Sequence, residues 1–377
     1  MKLAQENILA LEKVIDVIKE FSDKNPIKKY KFNYKKIKER INQLKGLKNR
    51  DNYSKQELYD AILRKLKVII KREFHPEIYF IIGGHGGIII NDIGFCEFDS
   101  PKFALNCLIE KMELAIKTNM PYHIEIAISC LDWLKCKYPE LFSKFLRLYQ
   151  QGKFEIINPT YSQPYSLIIG PESNIKQIEY GMNILKKLKL ECNIYYCSES
   201  SLHPQIPQII KGFKIDFASL RTRLLGSNPT SSSGKIDWIG LDNTKISTIT
   251  EQSGVFNGEY WHGTFFREIP NLLFQAISRP FMKYILYSSI EDFVMSQQYQ
   301  EEIWRISRFS EIFGKFISCS EFFQLADKEG EYQYNRDNFV LGENIFIPSK
   351  LFLNNKYCEM ILLTAEILNC ILGLFHE

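Results

Sequence analysis

Apolar residues recur every three to four positions through the first 73 residues, and then the pattern changes to short uninterrupted apolar runs. Leu3, Ile8, Leu11, Ile15 and Ile18 stand at helical spacing with Glu, Lys and Asp between them. Asn25-Pro26 breaks that stripe. A Lys-rich stretch from Lys28 to Lys48 carries Phe32, Ile37 and Ile41 as a second helical stripe. Ser54 followed by Glu57 is a capping-box start for a third helix, which continues through Leu58, Ile62, Leu66 and Ile70.

Ile78 to Ile82 is all apolar, as a strand buried on both faces requires. Gly83-Gly84-His85-Gly86-Gly87 then reads as the loop after it. A helix is expected from Ser100-Pro101 through Ala115, a strand over 122–128, and helical turns from Leu131 to Tyr149 interrupted at Pro139. Phe154 to Ile157 is a further strand, Glu172 to Leu190 a long helix, and Ile194 to Cys197 a strand. Pro204 and Pro207 open a short helix ending at Gly212, and a strand follows through Leu220. Strand and helix alternate from 78 to 220, which favours a parallel sheet with helices outside it. Beyond a polar loop (226–234), Ile236–Leu241 and Lys245–Thr250 form a hairpin across Asp242-Asn243. Tyr284 to Tyr287 is the last strand expected, with helical segments over 290–316, 320–325 and 357–374.

With 377 residues, 45% hydrophobic and 24% charged, the chain has enough apolar material for one large α/β unit with additions. The expected division is a helical segment (1–73), a barrel or open α/β sheet (74–325) and a C-terminal segment ending in a helix (326–377). The formal net charge is only +4. The basic excess lies in the first 72 residues without aromatic interleaving, so a solvated helix face is expected there and no nucleic-acid partner. The nine cysteines are scattered with no CxxC pair, which argues against a zinc ribbon and for reduced thiols in a cytoplasmic protein. The N-terminus lacks a signal-peptide pattern and no apolar run of ~18 residues occurs, so no membrane partner is expected.

In α/β folds, sites are built on the loops at the carboxyl ends of strands. Four such loops carry the candidate chemistry. His85 follows the first strand and suits a metal ligand or a general acid/base. Asn158 to Tyr165 follows the strand at 154–157 and offers Tyr161, Gln163 and Tyr165. Ser198 to His203 follows the strand at 194–197 and carries Glu199 and His203. Gly258 to Phe266 groups Glu259, Trp261 and His262.

Four stretches together resemble the N-terminal catalytic domain of the glycoside hydrolase family 38 α-mannosidases, within the wider glycoside hydrolase/deacetylase barrel superfamily. They are Gly152–Ile157 running on through Tyr161-Ser162-Gln163-Pro164 to Gln177; Tyr196 to Phe213; Ile236 to Asp242; and Tyr260 to Phe265. The resemblance covers roughly residues 78 to 320. It implies an α/β fold, a (β/α)7-type barrel with parallel strands, flanked here by added N-terminal and C-terminal helical segments. It also implies a metal-assisted retaining glycosidase site acting on a carbohydrate.

The departures narrow that picture. The family's first metal motif is His-x-Asp, whereas His85 is followed by Gly86-Gly87. Tyr165 stands where a family aspartate belongs. Counting back from Pro207 places the family's nucleophile aspartate at Ser198, or at Glu199 with one deletion. The zinc ligands are therefore incomplete, and no cofactor is assigned. The stretch around Glu199 also resembles glycoside hydrolase family 57, a metal-independent relative with a glutamate nucleophile. On that comparison Glu199 is the expected nucleophile and Glu259 the second carboxylate, with His85, Tyr161, Gln163, Tyr165, His203, Trp261 and His262 as sugar contacts. Retention requires two carboxylates about 5–5.5 Å apart. The alternative is a barrel without catalysis that binds a glycan or a protein. The final helix, Tyr357 to Leu374, resembles the start of the family 38 helical domain.

Overall fold

The computed structural model describes residues 5–24, 33–47, 52–73, 77–85, 101–118, 120–196, 203–220, 235–250, 255–256, 284–292, 314–333 and 349–375. Three helices come first: α1 (Gln5–Lys24), α2 (Tyr34–Gly46) and α3 (Asn52–Glu73). Then follow β1 (Glu77–His85), α4 (Pro101–Thr118), β2 (Tyr122–Ile124), α5 (Ile128–Lys137), α6 (Pro139–Gln150), β3 (Phe154–Ile156), α7 (Pro171–Leu188), β4 (Ile194–Tyr196), α8 (Ile206–Gly212) and β5 (Phe217–Leu220). The hairpin is β6 (Lys235–Ile239) and β7 (Lys245–Thr250). After it come β8 (Val255–Phe256), β9 (Tyr284–Asp292), β10 (Lys315–Phe316), α9 (Cys319–Leu325), β11 (Glu331–Gln333) and α10 (Ser349–Leu374).

β1 is the hub of the barrel wall. Along its whole length it pairs in parallel with β9, from Glu77 opposite Tyr284 to His85 opposite Asp292. Its remaining pairings are with β10, at Tyr79 and Phe80, and with β2, at Gly83 and Gly84. β2 pairs in parallel with β3. The Tyr196 N–H donates to the Ile157 carbonyl (2.8 Å), carrying the ladder across to β4. β5 and β7 continue it in parallel, and β8 lies on β9. β6 runs antiparallel to β7, and β11 lies on β6. The result is a (β/α)7-type barrel followed by a C-terminal helix.

The two-residue period of each strand sorts its side chains. Tyr79, Ile81, Ile157, Ile194, Tyr196, Ile249 and Leu286 form the interior cluster. Ile78, Phe80, Ile82, Tyr122, Ile124, Phe154 and Ile156 point the other way, into one continuous core with Leu108 and Met112 of α4, Leu131 of α5 and Phe145 of α6. Leu11, Ile15, Ile37, Ile41, Ile62 and Leu66 belong to that same core, so the basic N-terminal helices clothe the barrel with their apolar faces. Tyr195, Ala218, Leu220 and Trp238 make a second outer cluster with Ile206 and Ile210 of α8.

α9 packs into the barrel interior. Phe322 and Phe323 are fully buried in the interior cluster, and the Phe323 ring stacks on Phe217 with centroids 4.3 Å apart. Ser318 caps the helix by accepting from the Glu321 N–H (3.0 Å). The Glu155 carboxylate of β3 accepts from the Cys319 and Ser320 N–H groups at 2.8 and 3.0 Å. Lys235 donates to the Phe323 and Ala326 carbonyls at the other end. Backbone groups left unpaired at each end of the helix thus find side-chain partners.

α10 starts against the β3–α7 loop. The Asn355 side chain donates to the Ile168 carbonyl (3.4 Å), and Glu359 accepts from the Gly170 N–H. From Met360 onward its apolar side chains are exposed on every side. By length and composition, Phe352–Leu374 is enough to cross a membrane, with a mean hydropathy of 1.6.

Four strands differ from the expected pattern, the shortest being β10, which pairs with β1 at Lys315 and Phe316 where a helix is expected to run through 316. β1 does not end at Ile82 but runs through Gly83 and Gly84 to His85. These glycines serve close approach rather than a turn, because a Cβ at Gly83 would lie 1.9 Å from Cδ2 of His123. The 122–128 run ends as strand at Ile124, and α5 begins at Ile128. The loop after β3 supplies the reason: the Ile128 and Ser129 N–H groups donate to the Thr160 and Tyr161 carbonyls, both at 3.1 Å. β9 continues to Asp292, into a stretch whose apolar spacing predicts helix. Pairing with β1 overrides that local preference.

Candidate active site at the carboxyl rim

β2 brings two ionisable side chains into the barrel. Tyr122, Ile124 and Ile126 face the outer core, so His123 and Glu125 face inward, each only 2% exposed. The His123 ring lies 6.5 Å from that of Tyr196, centroid to centroid. The Glu125 N–H donates to the Gly84 carbonyl (2.8 Å), which ties the end of β2 to β1. Asn158, fully buried just past β3, donates from Nδ2 to Oε1 of Glu125 (3.4 Å) and accepts the Thr160 N–H at Oδ1 (3.0 Å). A buried carboxylate and a buried amide thus meet at the carboxyl ends of β2 and β3, fixed by backbone contacts on both sides.

The expected site residues are distributed unevenly. Glu199, Glu259, Trp261 and His262 lie outside the described residues. β4 ends at Tyr196, so the chain leaves its carboxyl end into the segment carrying Glu199. His85 is the last residue of β1, opposite Asp292, and Gly84 stands opposite Glu291.

The β3–α7 loop carries the other expected contacts. The Tyr161 N–H donates to the Gln177 carbonyl of α7 (2.9 Å). Its ring, 40% exposed, meets that of Tyr180 edge-on at 6.2 Å, which turns it toward the outer helix. A Cβ at Gly181 would lie 1.8 Å from the Pro159 carbonyl oxygen, so only glycine lets α7 sit this close to the loop. Gln163 holds a left-handed backbone (φ 51°), and its N–H donates to Thr160 Oγ1 (3.2 Å). The Tyr165 carbonyl accepts from the Ile168 N–H, at 2.9 Å. The His203 N–H donates to Ser166 Oγ (3.1 Å), and its Nδ1 accepts from the Gln205 N–H. Burial, helped by the Lys356 ammonium, holds the His203 imidazole below its ordinary range, with Glu359 opposing.

Glu125, Asn158, His123 and Asp292 were not singled out by the sequence. The alternation Tyr122-His123-Ile124-Glu125-Ile126 was the available signal for two of them. Among the described residues, no three His, Cys, Asp or Glu side chains are grouped so as to hold a metal. Cys192 and Cys319 are buried, and burial pushes the Cys192 thiol up to about 12, leaving it without nucleophilic character.

Comparison with known proteins bears on this arrangement. The chain resembles the 4-alpha-glucanotransferase of Thermococcus litoralis with a TM-score of 0.53 at 14% identity, over 68% of this chain and 41% of that one. It resembles a family 57-type branching enzyme of Pyrococcus horikoshii with a TM-score of 0.50 at 12% identity, over 69% of this chain and 72% of that one. An alpha-mannosidase from Enterococcus faecalis V583 aligns at 0.48 and 15% identity. The chain thus spans about two fifths of the length of the glucanotransferase. Among curated proteins none matches. The model of the glycosyl hydrolase family 57 matches residues 7–223, more than half of the chain, including β1 to β5 and the segment that holds Glu199. Family 57, the metal-independent relative in the sequence comparison, rather than family 38, is thus the family to which this chain belongs.

Proposed function

We propose that the chain is a retaining glycoside hydrolase or glycosyl transferase acting on α-linked glycans, with Glu199 as nucleophile. The observation that supports this best is the carboxyl rim itself. Glu125 and Asn158 are buried there at the ends of β2 and β3, and β4 leads directly into the segment holding Glu199. In this reading Glu125 and Asn158 form the polar floor of the sugar subsite. Sugar hydroxyls need fixed donors and acceptors in a water-poor cleft, and a carboxylate–amide pair supplies both. Gln163, Tyr165 and His203 stand on neighbouring loops as outer contacts, and the sequence adds Trp261 and His262.

The solved relatives above a TM-score of 0.5 or equal to it are named for glucan transfer and branching, so α-glucan is placed before α-mannoside as substrate. The mannoside reading rests on the family 38 motifs. The test is a product assay of the full chain on maltooligosaccharides and on nitrophenyl α-glucoside and α-mannoside. Glu199→Gln is expected to lower turnover on the order of 10⁴-fold. Full activity in that variant overturns the assignment. A second reading, a binding barrel without catalysis, is favoured by the loss of the His-x-Asp pattern at His85. Saturable glycan binding without turnover would select it.

A further inference from the structure

We propose that α10 clamps the sugar-binding loop between β3 and α7, and that Glu359 is the positioning residue through which it does so. The role rests on the reading of that loop as a source of sugar contacts; the clamp itself does not. Among the described residues of α10, only Asn355, Lys356 and Glu359 are shielded from solvent. Asn355 and Glu359 are one helical turn apart, so the helix meets the barrel along one short strip. The Glu359 side chain is 13% exposed on a helix that is otherwise bare. A carboxylate so shielded needs partners. The Gly170 N–H and the Ser173 hydroxyl donate to it, and the Lys356 ammonium lies 3.2 Å away.

These contacts close the start of α7 from outside. Gly170 is the N-cap of that helix and has no side chain to cap it. In a capping box the side chain at N3 returns to the N-cap N–H. N3 here is Ser173, whose hydroxyl is turned to Glu359 instead. Glu359 thus does, from 189 residues away, what a glutamate at N3 would do. Its charge also sits at the positive end of the α7 dipole. A Cβ at Gly170 would lie 2.7 Å from Oε2 of Glu359, so a side chain there would crowd the carboxylate.

The clamp reaches the proposed sugar contacts through one turn of backbone. Asn355 donates to the Ile168 carbonyl (3.4 Å), and the Ile168 N–H donates to the Tyr165 carbonyl (2.9 Å). On the α7 side, Nδ2 of Asn174 donates to the Ser166 and Gly170 carbonyls at 2.8 and 3.1 Å. The His203 N–H reaches Ser166 Oγ, and its imidazole feels the charges of both Lys356 and Glu359. Residues 165–170 are therefore held by α7 and by α10, with Gln163, Tyr165 and His203 at the margin. Without the α10 half, the loop keeps one anchor and must be ordered when a glycan binds, which costs affinity. The reacting atoms are untouched, so the loss falls on binding rather than on turnover.

The experiment pairs amide hydrogen exchange with kinetics on the full chain, using maltoheptaose or nitrophenyl α-mannoside, whichever it turns over. Glu359→Ala should speed exchange in residues 161–175 about tenfold and raise KM about fivefold, with kcat held within about twofold. Exchange in α9 should not change. Glu359→Gln keeps an acceptor for the Gly170 N–H, so its KM should stay within about twofold of the wild type. Gly170→Ala, at an extended backbone position that any residue can adopt, should reproduce the Glu359→Ala effects by displacing the carboxylate, and it decides the matter where Glu359→Ala does not fold. Unchanged exchange in residues 161–175 overturns the clamp, as does exchange that quickens equally in α9. A Gln variant as impaired as Ala overturns hydrogen bonding as its means. Faster loop exchange with an unmoved KM, or with the loss in kcat, overturns the positioning role and leaves the glycosidase reading standing. If the wild-type chain neither binds nor turns over glycan, that reading fails and the positioning role with it, while exchange still decides the clamp.

Discussion

Against α9, Phe322 and Phe323 fill the interior, and a half-buried glutamate, Glu155, spends both carboxylate oxygens on the backbone of the helix. Nearer the carboxyl rim a buried glutamate, Glu125, meets the side chain of Asn158; His123, two residues before it, is the register partner of Glu155. The two strands are neighbours, and both side chains take the inward register. What differs is the company each carboxylate keeps. Backbone N–H partners make Glu155 part of a helix cap. A side-chain partner on a loop leaves Glu125 able to exchange that partner for a ligand. The two glutamates therefore carry opposite expectations, stability for Glu155 and chemistry for Glu125.

That contrast is open to direct test, beginning where the effect is greatest. Phe322→Ala should cost about 3–5 kcal/mol of stability through lost burial and a residual cavity. Chemical denaturation should record it, with turnover per folded molecule unchanged; an altered pH–rate profile would blur the division between the α9 contacts and the Glu125–Asn158 pair. Gly83→Ala drives a methyl into the ring of His123, its register partner on β2, for an expected loss of about 1–3 kcal/mol together with reduced activity. Stability and activity that separate in this variant would show that His123 serves only one of the two roles. Glu125→Gln should lower turnover about tenfold, roughly 1.4 kcal/mol of transition-state stabilisation, with an unchanged melting temperature. Destabilisation without a kinetic effect would make Glu125 a structural group like Glu155.

The smallest effect is a dependence on pH. Burial raises the Glu155 carboxyl above its ordinary 4.5, and the hydrogen bonds from Ser320 and Cys319 only partly offset this. The folded state then binds this proton more tightly than the unfolded state. The resulting stabilisation is fully present below 4.5 and is lost as pH rises through the raised value. Melting curves of the wild type should therefore decline with pH just above 4.5 relative to Glu155→Gln. Parallel curves would place Glu155 outside the linkage.

Much of the wall was legible because each strand is short, apolar and bounded by a helix signal. The run at 78–82, the start of the 122–128 run and the hairpin across Asp242-Asn243 are all strands in the structure. What local pattern could not supply was pairing over long distances. Glycines in sequence suggest a turn, and only the His123 ring beside Gly83 shows why the strand continues. Residues 290–292 have helical spacing, and only β1 alongside makes them a strand. The site divided in the same way. A polar residue in a loop draws notice, as Tyr161 and His203 did. Glu125 and Asp292 lie at strand ends, where their meaning depends on which strand is the neighbour.

The position of β1 in the wall has a consequence for how the chain is made. Its longest pairing is with β9, a strand about 200 residues later in the chain. On a ribosome adding ~5–20 residues each second, β1 is synthesised about 10–40 s before that partner exists. During this interval β2 can cover only its Gly83-Gly84 end. Ile78 to Ile82, the most apolar strand of the barrel, then presents unpaired backbone to any neighbouring chain. Closure of this barrel is a late event of synthesis, and the yield of native protein depends on what shields β1 until β9 arrives.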